Sequence, residues 1–307
     1  MRKFHGAVLA GLMLVLGATG GAVAGMPYPQ KIKCAVGGKP FTYTSTASLS
    51  TWGSRPDGKP YGSWIFPMPL PECPNNGLIM YRDFTKDEVS ALAGLIATPE
   101  YRAMVATERP YYRAAWLERA LKPGSDSIPW MLLSASWQAD ESPDQKARYQ
   151  REFIAAAAAA PAPVGDDLSW RALQARVANA HRELGDFEAA AARLAGIRAD
   201  DLDVAIPKLT NDNFEAYDAA QSRQGLRGYL ADLAVVVARR DSASEPLDML
   251  PLRMAADACL EAKERAVELR PDGICARPDI AKEMEDIRQY DSEPAGGDEA
   301  LADRPAR

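Results

Sequence analysis

Phe84-Thr85-Lys86-Asp87-Glu88-Val89-Ser90-Ala91-Leu92-Ala93-Gly94-Leu95-Ile96-Ala97-Thr98-Pro99-Glu100 is the stretch on which the fold turns. Thr85 and Glu88 have the spacing of a capping box, in which the Thr hydroxyl accepts from the Glu backbone N–H and the Glu side chain reaches back. Val89, Leu92, Leu95 and Ile96 then mark one apolar helical face. Thr98-Pro99-Glu100 opens a second helix, with Pro at a first-turn position where its missing N–H costs nothing. Helical periodicity continues downstream at about 110–121, 128–139, 144–160, 167–183, 187–196, 212–221, 225–240, 252–269 and 278–289. Short connections between these segments imply antiparallel neighbours. The run Ala155–Ala160 followed by Pro161-Ala162-Pro163 ends one helix and makes a stiff link.

Upstream of Thr85 the chain is of another kind. Residues 25–84 hold Gly, Pro, Ser, Thr and aromatics, with short β-type runs at Phe41-Thr42-Tyr43-Thr44 and Ser63-Trp64-Ile65-Phe66. Arg55-Pro56-Asp57-Gly58 and Pro69-Leu70-Pro71 read as turns. A small β-rich module with a long loop over about 50–62 is expected. Residues 1–24 read as a secretory signal: Arg2 and Lys3, an apolar run from Ala7 to Leu16, and Ala22-Val23-Ala24 as the cleavage pattern. That run is shorter than the ~20 residues a spanning helix needs. The expectation is therefore a periplasmic or secreted protein cleaved after Ala24, with no membrane span in the mature chain. Residues 291–307, rich in Asp, Glu, Gly, Ala and Pro, read as a disordered acidic tail.

The 307 residues carry 36 Lys and Arg against 42 Asp and Glu, a net charge of −6. Cleavage after Ala24 would remove Arg2, Lys3 and His5 and no acid, leaving His181 as the one histidine. An acidic balance argues against nucleic acid as a partner, since phosphate neutralisation by Lys and Arg dominates such binding.

Ala178, His181, Gly185-Asp186-Phe187, Ala190 and Leu194 fall at the spacings of a tetratricopeptide-repeat (TPR) hairpin, with small residues where two helices would approach and Gly185 at the turn. Ala266-Val267-Glu268-Leu269-Arg270-Pro271 resembles the end of another repeat, without a 34-residue period joining the two. Cys34-Ala35-Val36-Gly37-Gly38 and Cys73-Pro74-Asn75-Asn76-Gly77 look like two zinc knuckles, each lacking its second Cys. Tetrahedral zinc takes four ligands from two such turns. With Gly37 and Asn76 at the missing positions, no metal or cofactor is expected.

On these residues, together with Lys33–Phe41, Glu72–Phe84, Tyr111–Leu121 and Ser134–Asp140, about half of the chain resembles a bacterial family of unknown function. That family has an N-terminal Cys-x-x-Cys zinc ribbon followed by a TPR-like helical region. The resemblance implies an α+β, mostly α fold: a degenerate ribbon-like module packed on an antiparallel helical body over residues 85–290. Because the two knuckles of a ribbon lie side by side, and disulfides persist after export, it also implies a Cys34–Cys73 bridge in place of zinc. Cys259 and Cys275 are then the second pair. Four buried free thiols are the alternative.

No Gly-x-Ser-x-Gly elbow, phosphate loop or dinucleotide fingerprint is present. His181, in the aromatic slot of the hairpin, is expected to be a packed residue, and no catalytic residue is assigned. Asp83, Asp87 and Glu88 cluster at the module junction and are accounted for by helix capping. Asp200, Asp201 and Asp203 lack the spacing of a calcium loop. Trp52, Arg55, Tyr61 and Trp64 are candidate ligand-binding residues, because aromatics with interleaved cations can hold a sugar ring, a peptide or an anionic polymer; the alternative is that these rings close a small domain poor in aliphatic residues. The expected function is a non-enzymatic exported scaffold that binds a protein or peptide through its helices. The rival is an envelope glycan-binding protein or carboxylate-dependent hydrolase acting on cell-wall material.

Overall fold

The structure is a computed structural model and describes residues 25–160 and 168–292. The expected leader, the Pro161-Ala162-Pro163 link and the tail beyond Ser292 lie outside the described residues. The module before Thr85 holds two small antiparallel ribbons: β1 (Met26–Lys33) with β2 (Pro40–Ser48), and β3 (Thr51–Ser54) with β4 (Pro60–Gly62). Register in the first pairs Ile32 with Phe41 and Gln30 with Tyr43. Pro27 and Pro29 sit on β1, an edge strand, where the lost N–H removes no ladder bond and denies the edge to another chain.

Two expectations for this module change. Residues 51–62, expected as loop, form the β3–β4 hairpin, whose short strands are held by what their turn docks onto rather than by alternation. Ser63–Phe66, expected as strand, is irregular, because Ser63 N–H already bonds the Ser50 carbonyl and the chain then turns away.

Ten helices follow among the described residues, mostly where the periodicity places them: α1 (Lys86–Leu95), α2 (Pro99–Thr107), α3 (Pro110–Leu121), α4 (Ser127–Gln138), α5 (Pro143–Ala159), α6 (Leu168–Glu183), α7 (Phe187–Ala195), α8 (Phe214–Ala238), α9 (Leu252–Glu264) and α10 (Pro278–Ser292). The fold is α+β and mostly α. The capping box on α1 is complete: Glu88 N–H donates to Thr85 Oγ1 at 3.3 Å, and Thr85 N–H to Glu88 Oε2 at 2.8 Å. The segments expected at 212–221 and 225–240 are one helix, α8. Gly225 costs a helix only about 1 kcal/mol, and buried residues lie on both sides of it, Ala220 before and Leu226, Leu233, Val236 and Val237 after. The segment expected at 252–269 stops at Glu264, so the run Ala266–Pro271 is not helical.

Cys34 and Cys73 form a disulfide with Cα atoms 5.6 Å apart, and Cys259–Cys275 forms a second at 5.7 Å. A tight turn follows each cysteine of the first bridge: Gly38 N–H donates to the Cys34 carbonyl and Gly77 N–H to that of Cys73. The bridge packs with Leu78, Leu92, Ile96, Tyr101, Met104 and Leu117, so the β module shares its core with α1–α3. A second core runs through α3–α6 around Leu132, Phe153 and Val177. The Cys259–Cys275 bridge lies in a separate cluster with Ile280, Met284 and Ile287 from α10. No described helix is long and apolar enough to cross a membrane.

Candidate functional site

Among the polar clusters of the described residues, two border clefts that bear on function: the seat of the β3–β4 turn, and one face of the α6–α7 hairpin.

The turn Arg55–Lys59 closes with Gly58 N–H on the Arg55 carbonyl and Arg55 N–H on that of Lys59. Gly58 has φ +92°, which an L side chain adopts only with strain. This tip is driven into the helical body. Arg55 and Asp57 are 7% and 2% exposed, and the Arg55 guanidinium bonds both Asp57 carboxylate oxygens. Its Nη1 donates to Asp140 Oδ2 at 2.8 Å and its Nη2 to Asp140 Oδ1 at 3.1 Å. Lys59 Nζ and Lys146 Nζ reach the same carboxylate at 2.7 and 3.0 Å. The Pro56 carbonyl accepts from Tyr229 Oη at 2.6 Å and from Arg176, whose guanidinium stacks on the Tyr229 ring.

Behind the tip lies a polar cleft of about 550 Å³. Lys146 spans it, 3.0 Å from Asp140 and 3.3 Å from Glu183. Glu183 also accepts from Gln150 and Asn179, each at 2.8 Å. Arg182, fully buried, donates to the Asp241 and Ala243 carbonyls and so fixes the loop that brings Ser244 to Lys146. Burial pulls the Asp140 carboxyl upward, but the hydrogen bonds from Arg55 and Lys59 outweigh it and hold the group far below the carboxylate range. Burial likewise works against the Arg55 charge, and Asp57 and Asp140 overcome it. A carboxylate so held is a permanent acceptor, the opposite of the raised group that donates a proton near neutrality. The chemistry of this cleft is that of a clasp.

The four candidate binding residues part company. A β-bulge between Thr51 and Gly53 leaves Trp52 outside the ladder and 56% exposed, and bulges re-aim side chains in this way. Gly53 lies against Pro251, whose Cγ would be 2.5 Å from an added Cβ. Arg55 is consumed in the clasp. Tyr61 is half-buried, its hydroxyl without a hydrogen-bond partner and its pKa raised chiefly by burial. Trp64 packs beneath Gly25, leaving its buried Nε1 without an acceptor.

Of the acidic residues weighed earlier, Glu88 and Asp201 are engaged by arginines. Glu88 is held at about 2 by hydrogen bonds from Arg82 and the Thr85 backbone. Asp201 is held at about 2, first by Arg171, whose two nitrogens lie 2.6 and 2.8 Å from it. No group of three or more described His, Cys, Asp or Glu residues is placed to hold a metal ion.

The α6–α7 hairpin turns on a Schellman motif: Asp186 N–H bonds the His181 carbonyl, Gly185 N–H bonds that of Arg182, and Gly185 has φ +80°. Asp186 then caps α7 by accepting from Ala189 N–H, and its other oxygen lies 3.3 Å from His181 Nδ1. Ala178 and Ala190 are both fully buried, in one cluster with Leu233 and Val236 of α8. On the opposite side the hairpin holds an open cleft of about 440 Å³, lined by Trp170, Gln174, His181, Ala192, Arg193 and Ile197 among others. His181 is thus packed at its Nδ1 side and borders a cleft as well.

Asp140, Lys146, Glu183, Gln174 and Arg193 were not among the residues singled out from sequence. Only Trp170, Gln174 and His181 left a signal, since intervals of four and seven share one helical face. Comparison of the chain with protein-family models, with curated proteins and with solved structures returns no match.

Proposed function

We propose that the protein is an exported, non-enzymatic scaffold of the bacterial envelope that holds a protein or peptide partner on its helical hairpins. The observation that carries this reading is the contrast between the two polar places. At the clasp the charged groups are spent on one another, whereas the α6–α7 cleft is open and lined by an indole, an amide, an imidazole and a guanidinium. Two closed disulfides, with no free cysteine among the described residues, support an oxidising compartment, as does the leader-like sequence of residues 1–24. The test is a photo-crosslinking amino acid at Ala192, exposed in the cleft. One specific envelope protein is expected to crosslink there and not from Ala155 on α5. Identical patterns from both positions would overturn the reading.

Trp52 supports a second reading. An indole thrown clear of its strand is a stacking face for a sugar ring, so cell-wall material that sediments with the protein, and not with Trp52→Ala, would favour a glycan-binding role.

A further inference from the structure

Among the described residues, the lining of the α6–α7 cleft includes no carboxylate, although the chain as a whole carries a net charge of −6. Asp186, at the hairpin turn, is already committed to the α7 N-terminus and to His181. Arg193 spends Nη1 on Gln174 Oε1 at 3.0 Å, and its other nitrogens have no hydrogen-bond partner among the described residues. That bond fixes the Gln174 amide with its oxygen toward Arg193. Its Nε2 is left buried and without an acceptor in a residue only 8% exposed. A buried donor without an acceptor is costly, and an oxygen brought beside it repairs the defect. The Trp170 and Ile197 side chains supply an apolar wall to the same space.

We propose that this cleft takes an acidic segment of a partner protein, seating a Glu or Asp carboxylate on the Arg193 guanidinium and an adjacent apolar side chain on Trp170 and Ile197. Guanidinium–carboxylate pairing is charge-assisted and directional. Arg193 answers that geometry while the acidic remainder of the protein repels the same segment at long range. The inference rests on the binding reading above and adds the chemistry of the ligand.

The test uses the full-length mature protein and two fluorescein-labelled nonapeptides, one alternating Leu and Glu, the other its Leu and Gln isostere. The Glu peptide is expected to bind at least tenfold more tightly in fluorescence anisotropy. Arg193→Gln should erase that preference while the far-UV circular dichroism shows the protein still folded, and Lys39→Gln, on the β module, should keep it. Equal or absent binding of the two peptides, or a preference that survives in R193Q, overturns the carboxylate assignment. If a specific partner still crosslinks at Ala192 under that outcome, the scaffold reading stands and only the ligand chemistry falls. If none does, both fall.

Discussion

Arg55 and Asp140 lie 85 positions apart in the chain and share two hydrogen bonds, of 2.8 and 3.1 Å. Through that contact a five-residue turn in the β module becomes part of the helical interior. Removing Arg55 takes from Asp57, 2% exposed, the cation paired with it, at a cost of about 3–5 kcal/mol, and removing Asp140 leaves Arg55, Lys59 and Lys146 without the carboxylate they share. Arg55→Ala and Asp140→Asn are therefore expected to lower the urea midpoint strongly. Arg55→Lys should not restore it, because a point charge cannot bridge Asp57 and Asp140 together. A loss below about 1 kcal/mol would show that the clasp contributes little to stability.

Acid should open the same contact. The folded pKa of Asp140 is depressed below its unfolded value near 3.9, so its contribution is full above that value and disappears as pH falls toward the folded pKa. Glu118 acts in the same sense: burial raises its pKa, while hydrogen bonds from Arg82 and Tyr81 lower it further. Unfolding free energy measured from pH 7 down to pH 2 should hold level and then drop below about pH 4. In Asp140→Asn the drop should be shallower.

Gly58→Ala tests the turn itself. At φ +92° the new side chain is strained, and its Cβ would lie 3.0 Å from Arg176 Nε. A left-handed conformation costs an L residue about 1–2 kcal/mol, and thermal melts of the variant should show that loss. Gly124→Ala, also at positive φ but with open space around its Cβ, separates backbone strain from crowding.

The disulfides should fail differently. Opening Cys34–Cys73, 39 residues apart, costs about 4 kcal/mol in the chain-entropy account, and Cys259–Cys275, 16 apart, about 3. Because the first bridge packs against α1–α3 and the second only within the α9–α10 cluster, Cys259→Ser with Cys275→Ser should raise hydrogen exchange chiefly over residues 247–292. The Cys34→Ser, Cys73→Ser pair should instead lower the global transition.

Much of this architecture was legible wherever local chemistry decides it. Thr85 and Glu88 announce a helix start because both halves of the cap lie within one turn, and Gly185 announces the hairpin because its backbone bonds are local too. The bridge between Cys34 and Cys73 was legible only through the resemblance of the two turns that carry them. The clasp was not legible: nothing near Asp140 in sequence distinguishes it from the other carboxylates, and its meaning comes from three cations brought in from positions 55, 59 and 146. The α6–α7 cleft was half legible, since the hairpin follows from spacing whereas the orphaned Gln174 amide depends on where Arg193 comes to rest. The β3–β4 hairpin was missed because strands of four and three residues carry almost no alternation, and its stability resides in the partners of Arg55.

The placement of the two bridges has a mechanical consequence. Each closes a loop near one end of the folded chain, and the helices between Cys73 and Cys259 carry no covalent crosslink. A tension applied to the two ends would unravel the middle while the bridged loops stayed hidden. At roughly 3.5 Å per extended residue, loops of 39 and 16 residues withhold about 190 Å of contour length until a reductant releases them. The oxidised chain is thus a shorter tether than its sequence, and its reach depends on the redox state of its surroundings.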